Sequence, residues 1–150
     1  MVAINELKQF KIFEGLNDAF YDKLLQVSSY QKIKKGEYIK KEGNDSKYFY
    51  VVKSGKIAFE TEIYGEKTAR LGIALKDDSF GESSIIPPHK TTTSRLALED
   101  SVLLVIDGQK MRDLCDSDTN FGYFMMQKIA QMLSVQLHRT REQLIHCHWG

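Results

Sequence analysis

Three hydrophobic textures follow one another along the chain, and each predicts a different kind of structure. At the start, Leu7, Phe10, Phe13 and Leu16 recur every third residue, as on one side of a helical segment or of two short turns. Asn17 then offers an N-cap to LNDAFYDKLLQ, with Leu16 and Tyr21 at the two positions of a hydrophobic staple. Leu24, Leu25 and Val27 continue the buried side. From about Tyr30 the period shortens, and β-rich runs are cut by Gly36, Gly43, Gly55 and Gly65 at strand-plus-turn spacing. Tyr48, Tyr50 and Val52 alternate with Phe49 and Val51, so this strand is apolar on both faces and well buried. Residues 56–64 alternate more plainly, with Ile57, Phe59, Thr61 and Ile63 on one face. SVLLVI, at 101–106, reads as a further buried strand.

The last third is helical. DGQKMRDLCDSD predicts a short helix containing Met111 and Leu114, and a long one runs from about Thr119 to Ile145. Along it, Tyr123, Ala130, Leu137 and Leu144 alternate with Met126, Leu133, Thr140 and Cys147 as an a/d seam. Phe121, Met125, Ile129 and Met132 form a second stripe suited to the β core. Such a helix is about 35–40 Å long, more than one small core needs, and the surplus predicts a partner helix.

Composition narrows the class. The 150 residues are 42% hydrophobic and 27% charged, the profile of one ordinary globular domain. With 21 basic and 20 acidic side chains there is no global electrostatic footprint for nucleic acid. Cys115 and Cys147 match no zinc or redox spacing, the N-terminus is not a secretory signal, and no apolar run is long enough to span a membrane. A cytoplasmic location is expected.

Many short strands with glycine turns predict a closed or folded-over antiparallel β structure, and several local motifs resemble one family. IFEGLNDAFYDKLL, KKGEYIKKEGNDSKYFYVVKSGKI, DDSFGESSII with KTTTSRLALEDS, and IAQMLSVQLHRTREQL are similar, in that order, to the cyclic nucleotide-binding domain family. That family includes catabolite activator proteins, the regulatory subunits of cyclic-nucleotide-dependent kinases and nucleotide-gated channels. The resemblance covers nearly the whole chain. It implies a mainly β fold, a double-stranded β-helix or jelly-roll-like β-roll, with N-terminal helices and a long C-terminal dimerisation helix. One domain is expected over 1–150: helices in 1–29, the roll in 30–106 with a phosphate-binding cassette at 80–101, and C-terminal helices in 107–150.

The cassette's chemistry can be read residue by residue. Gly81 permits a close backbone approach, and the amides after it open a short helical turn that attracts anions. The resemblance implies that Glu82 accepts a hydrogen bond from a ribose 2′-hydroxyl. Ser83, Ser84, Thr91 and Thr92 can donate to a phosphate. Lys90 stands where the family has arginine, keeping the charge and losing the two-pronged clamp. A lost charge-assisted hydrogen bond weakens binding by about ten- to a hundredfold. Arg95, an odd number of residues further on, is expected on the opposite strand face and paired with a surface acid. Asp77 replaces a frequent family glycine, and Asp78 adds a second negative charge.

The remaining signals have plain readings. HCHW at 146–149 is expected to be a polar terminus and not a metal site, and the lysines at 32–41 a solvated face. No acid/base pair or activated nucleophile suggests an enzyme. The resemblance implies a regulatory module that takes cyclic AMP or cyclic GMP as a small anionic ligand and needs no other cofactor. It further implies a homodimer through the C-terminal helix and a signal passed to a protein partner. Because the family's transcription factors continue into a helix-turn-helix domain and this sequence stops at Gly150, no direct DNA binding is expected. Two alternatives stay open: a ligand-free dimerisation module with an altered cassette, or a trans-acting regulatory subunit of a separate enzyme or transcription factor. Base contacts are placed at Gln131, Ser134 and His138.

Overall fold

The computed structural model describes residues 1–65 and 67–149. A short helix α1 (Ile4–Leu7), a 3-10 turn (Lys11–Phe13) and α2 (Asp18–Gln26) lead into the strands. Asn17 caps α2 as its sequence predicts, its side-chain oxygen accepting from the Ala19 amide at 3.0 Å.

Eight strands follow among the described residues: β1 (Ser28–Ile33), β2 (Tyr38–Lys40), β3 (Tyr48–Ser54), β4 (Ile57–Ile63), β5 (Lys67–Ala74), β6 (Ser79–Phe80), β7 (Ser94–Ala97) and β8 (Ser101–Asp107). They form two four-stranded antiparallel sheets, ordered β1-β8-β3-β6 and β2-β7-β4-β5. Between the sheets lies a core of Ile33, Val52, Ile57, Phe80, Ala97 and Leu103. The other face of the first sheet carries a second core, where Phe49, Val51, Leu104 and Ile106 meet Leu7, Phe13 and Leu24. This explains why β3 and β8 are apolar on both faces: one face fills the roll and the other seats the helices. The whole is the jelly-roll-like β-roll with flanking helices that the motifs imply.

Alternation along β4 breaks part-way. Phe59 and Glu60 face Gly72 and Arg70 in turn, so a bulge places the extra residue, Leu71, in β5; Glu60, on the same side of β4 as Ala58, is buried, and Ile63 is exposed. Glu60 is accommodated by the Tyr38 hydroxyl at 3.1 Å and by Arg70 at 3.5 Å.

Helix α3 (Gly108–Ser117) is capped by Asp107, whose carboxylate accepts from the Lys110 amide at 2.9 Å. Helix α4 runs from Thr119 to Trp149, about 46 Å, and continues through the HCHW segment instead of fraying before it. Its core stripe is Phe121, Met125 and Ile129, all buried, with Met132 partly covered beside Ser79. No helix among the described residues is long and apolar enough to cross a membrane.

Candidate functional site

Strand β6 delivers the chain to Gly81, and Gly81 makes the turn that defines the site. Its φ of +88° is left-handed, and a Cβ there would meet the Tyr48 carbonyl oxygen at 2.5 Å. The turn Glu82–Ser84 follows, closed by the Ser84 hydroxyl donating to the Gly81 carbonyl at 2.7 Å. Ser84 is buried, so its hydroxyl is committed to this closure. The Ser83 carbonyl lies 2.8 Å from His89 Nδ1, and Arg112 of α3 lies 2.9 Å from His89 Nε2 and 3.1 Å from the Ser84 carbonyl. An Nδ1–H tautomer donates to the Ser83 carbonyl and leaves Nε2 to accept from Arg112, whose Nη1 also lies 3.0 Å from Nδ1. Gly108 packs against the same turn; a Cβ there would lie 2.6 Å from Ser84 Cβ. The cassette is thereby coupled directly to the start of α3.

The other half of the cassette divides its side chains. Lys90 and Asp45 form an isolated bridge, and the Lys90 ammonium pairs with the Asp45 carboxylate, both side chains more than half exposed. That pairing holds the Asp45 carboxyl below its ordinary value. Flanking backbone bonds, Thr91 N–H to the Asn44 carbonyl at 2.8 Å and Gly43 N–H to the Thr91 carbonyl at 2.9 Å, tie this segment to the β2–β3 loop. The Thr91 hydroxyl is buried without a partner.

Arg95 overturns its expected position. It is 4% exposed and points into the roll, its guanidinium carbon 5.1 Å from the centroid of the Phe80 ring. The physical reason is that residues 91–93 are outside any strand, so face cannot be counted from Lys90. Within β7, Arg95 shares its inward face with the buried Ala97, and counting back from that small residue reveals it. Its Nε has no hydrogen-bond partner, and no ion pair among the described residues includes it. Burial pulls the guanidinium below its usual pKa, opposed by the nearby negative charge of Glu82. Burial also pushes the neighbouring Tyr50 phenol up to about 12.

These elements bound a cavity of about 580 Å³, within the size range of small-molecule sites. Phe59, Leu71 and Ile73 give it an apolar wall, while Phe80, Glu82, Thr92 and Arg95 supply the cassette side. Gln136, Arg139, Thr140 and Gln143 of α4 face it from across the opening. Arg139 reaches Asp78 at 3.8 Å, bridging helix and roll at the cavity's edge. Of the seven cassette residues singled out in the sequence, Glu82 and Thr92 line this cavity. Gly81 and Ser84 build the turn behind it, Ser83 faces His89, and Thr91 and Lys90 are absent from the lining. Gln131, Ser134 and His138 are not among these lining residues: Gln131 lines an adjoining space of about 230 Å³ that shares Phe59, Ile73, Asp78, Gln136 and Arg139 with the cavity, Ser134 is exposed, and His138 pairs with Glu142 at 3.3 Å. Asp77 holds a left-handed φ of +76°, the conformation that suits the glycine it replaces, and accepts from the Lys11 amide at 3.2 Å. Among the described residues, no three His, Cys, Asp or Glu side chains converge as metal ligands.

Comparison with known proteins gives a consistent result. The profile of the cyclic nucleotide-binding domain matches residues 30–118. The chain is 30% identical over 119 residues to the cGMP-dependent protein kinase egl-4 of Caenorhabditis briggsae, covering 77% of this chain and 16% of that kinase. Most of that relative therefore lies outside the shared region. Among solved structures, a cyclic nucleotide-binding domain from Methylobacillus flagellatus superposes with a TM-score of 0.82 at 14% identity, over 98% of this chain and 83% of that one. The regulatory domain of Toxoplasma gondii PKA, solved with cAMP, gives 0.71 at 18% identity, over 85% of this chain and 48% of that one. At these identities the structural likeness establishes the fold.

Proposed function

Because the chain belongs to the cyclic nucleotide-binding domain family, we propose that it is a regulatory sensor whose ligand is a cyclic nucleotide of the cyclic AMP or cyclic GMP kind. The observation that carries this reading is the cavity between the roll and α4, with Glu82 on one wall and a polar helix stripe on the other. It offers an acceptor for a sugar hydroxyl, a donor from Thr92 and an apolar wall for a base. Gly81, Ser83 and Ser84 serve by shaping and holding the turn. Lys90 reaches an anion only by releasing Asp45.

Ligand in this cavity touches both the roll and α4, so the helix arrangement that closes on it is favoured over the one that does not. The output is a changed helical surface offered to a protein partner, and the role is regulatory, not catalytic. A second copy of the chain is the natural cover for the α4 seam, where Tyr123, Leu137 and Leu144 are each more than half exposed. Free thiols at Cys115 and Cys147 suit the cytoplasm.

The Lys90–Asp45 pair favours a second reading, a ligand-free dimerisation and interaction module of the same fold. Calorimetric titration with cyclic AMP and cyclic GMP, with linear AMP as control, separates the two. Saturable heat from a cyclic nucleotide and none from the linear one supports the sensor; no heat at millimolar ligand supports the scaffold.

A further inference from the structure

We infer that the anionic group of the ligand is seated on Arg95, so that the cassette's phosphate contact has moved from Lys90 to a residue five positions along and inside the roll. The inference rests on the reading of the cavity as a cyclic nucleotide site, and it assigns the electrostatic centre of that site.

Four observations carry it. Arg95 is a buried cation with an unpartnered Nε–H and no ion pair among the described residues. A buried charge left without a partner opposes folding, so its retention calls for a counter-ion that arrives from outside the chain. The side chain is also held in place: β7 is paired to β2 on one side and to β4 on the other, and the guanidinium lies over Phe80. A guanidinium presents paired N–H groups in one plane, a geometry that donates to two oxygens of a phosphate.

Glu82 lines the same cavity without forming an ion pair with Arg95. Donors and an acceptor thus stand apart in one space, as an anion flanked by a sugar hydroxyl requires. Lys90, by contrast, is satisfied by Asp45 at the exposed edge of the roll and does not line the cavity.

The test compares Arg95→Gln and Arg95→Lys with Lys90→Met by calorimetry with cyclic AMP and cyclic GMP. It also follows the Arg95 side-chain Nε–H resonance of the wild-type protein by NMR, with cyclic nucleotides and with inorganic phosphate. The expected result is a loss of about a hundredfold in affinity for Arg95→Gln, partial rescue by Arg95→Lys, and a change below about threefold for Lys90→Met. The Nε–H resonance shifts on ligand addition. Melting of each variant without ligand checks folding: Arg95→Gln melts no lower than wild type, whereas a purely structural arginine would lower the melt along with the affinity. Retained binding in Arg95→Gln with loss in Lys90→Met overturns the inference and leaves the sensor reading intact. An Nε–H shift with phosphate but no binding of either cyclic nucleotide upholds the anion seat and removes the cyclic nucleotide reading. An Nε–H resonance unmoved by every one of these anions overturns the seat.

Discussion

Gly81 and Arg95 show how much of the site depends on single residues. A methyl group at Gly81 meets both a left-handed backbone and the Tyr48 carbonyl. Gly81→Ala should therefore cost about 2–3 kcal/mol in a urea melt; a loss below half a kcal/mol would mean that the turn relaxes freely. Arg95→Met should move stability the other way. Exchanging an unpaired buried charge for an apolar side chain of similar length should stabilise the ligand-free protein by about 1–2 kcal/mol. A lower melting temperature for this variant would assign Arg95 to the structural core. The sequence made the cassette's position legible, because Phe80-Gly81-Glu82 and the threonines come in family order. It hid the direction of Arg95, because parity counted across residues 91–93 assumes a strand that does not begin until Ser94. The helix residues facing the cavity were hidden for a related reason. Heptad position fixes which side of α4 is apolar, but the docking of Met125 and Ile129 on the roll fixes its rotation about that axis.

At the scale of elements, a hydrogen bond between α1 and β1 adds to the apolar seating of the N-terminal helices. The Tyr30 hydroxyl donates to the Glu6 carboxylate at 2.5 Å, and this contact holds Glu6 below its ordinary value of 4.5. The folded-state pKa is the lower one, so the contribution is fully present above the ordinary carboxylate value and is lost as pH falls through the folded value. Tyr30→Phe should accordingly destabilise the protein at pH 7, and the difference should shrink as pH falls below the ordinary carboxylate value. Urea melts of both proteins from pH 7 to pH 3 measure this, and a gap that stays constant with pH contradicts it. The elements themselves were largely legible: capping of α2 by Asn17, the two-faced strands β3 and β8, and the core stripe of α4 all follow from pattern. The burial of Glu60 was not, since its partners Tyr38 and Arg70 are distant in sequence.

For the whole molecule, α4 is shared between two surfaces. Its Phe121 stripe belongs to this chain's core, while Leu133, Leu137 and Leu144 are left exposed at seam positions. Introducing Leu133→Glu with Leu137→Glu should convert a dimer to a monomer by light scattering without unfolding the roll, because neither side chain lies in the core. A dimer that survives both charges uses another surface. The same helix lines the cavity through Gln136, Arg139, Thr140 and Gln143, so the proposed ligand and the proposed partner copy would meet on one element. Hydrogen exchange followed by mass spectrometry, with and without saturating cyclic AMP or cyclic GMP, reads both walls of the cavity at once. Exchange should slow in residues 80–95 and in residues 136–143 together. Protection confined to one of these segments, or lying elsewhere at saturation, would contradict a ligand held between the roll and the helix.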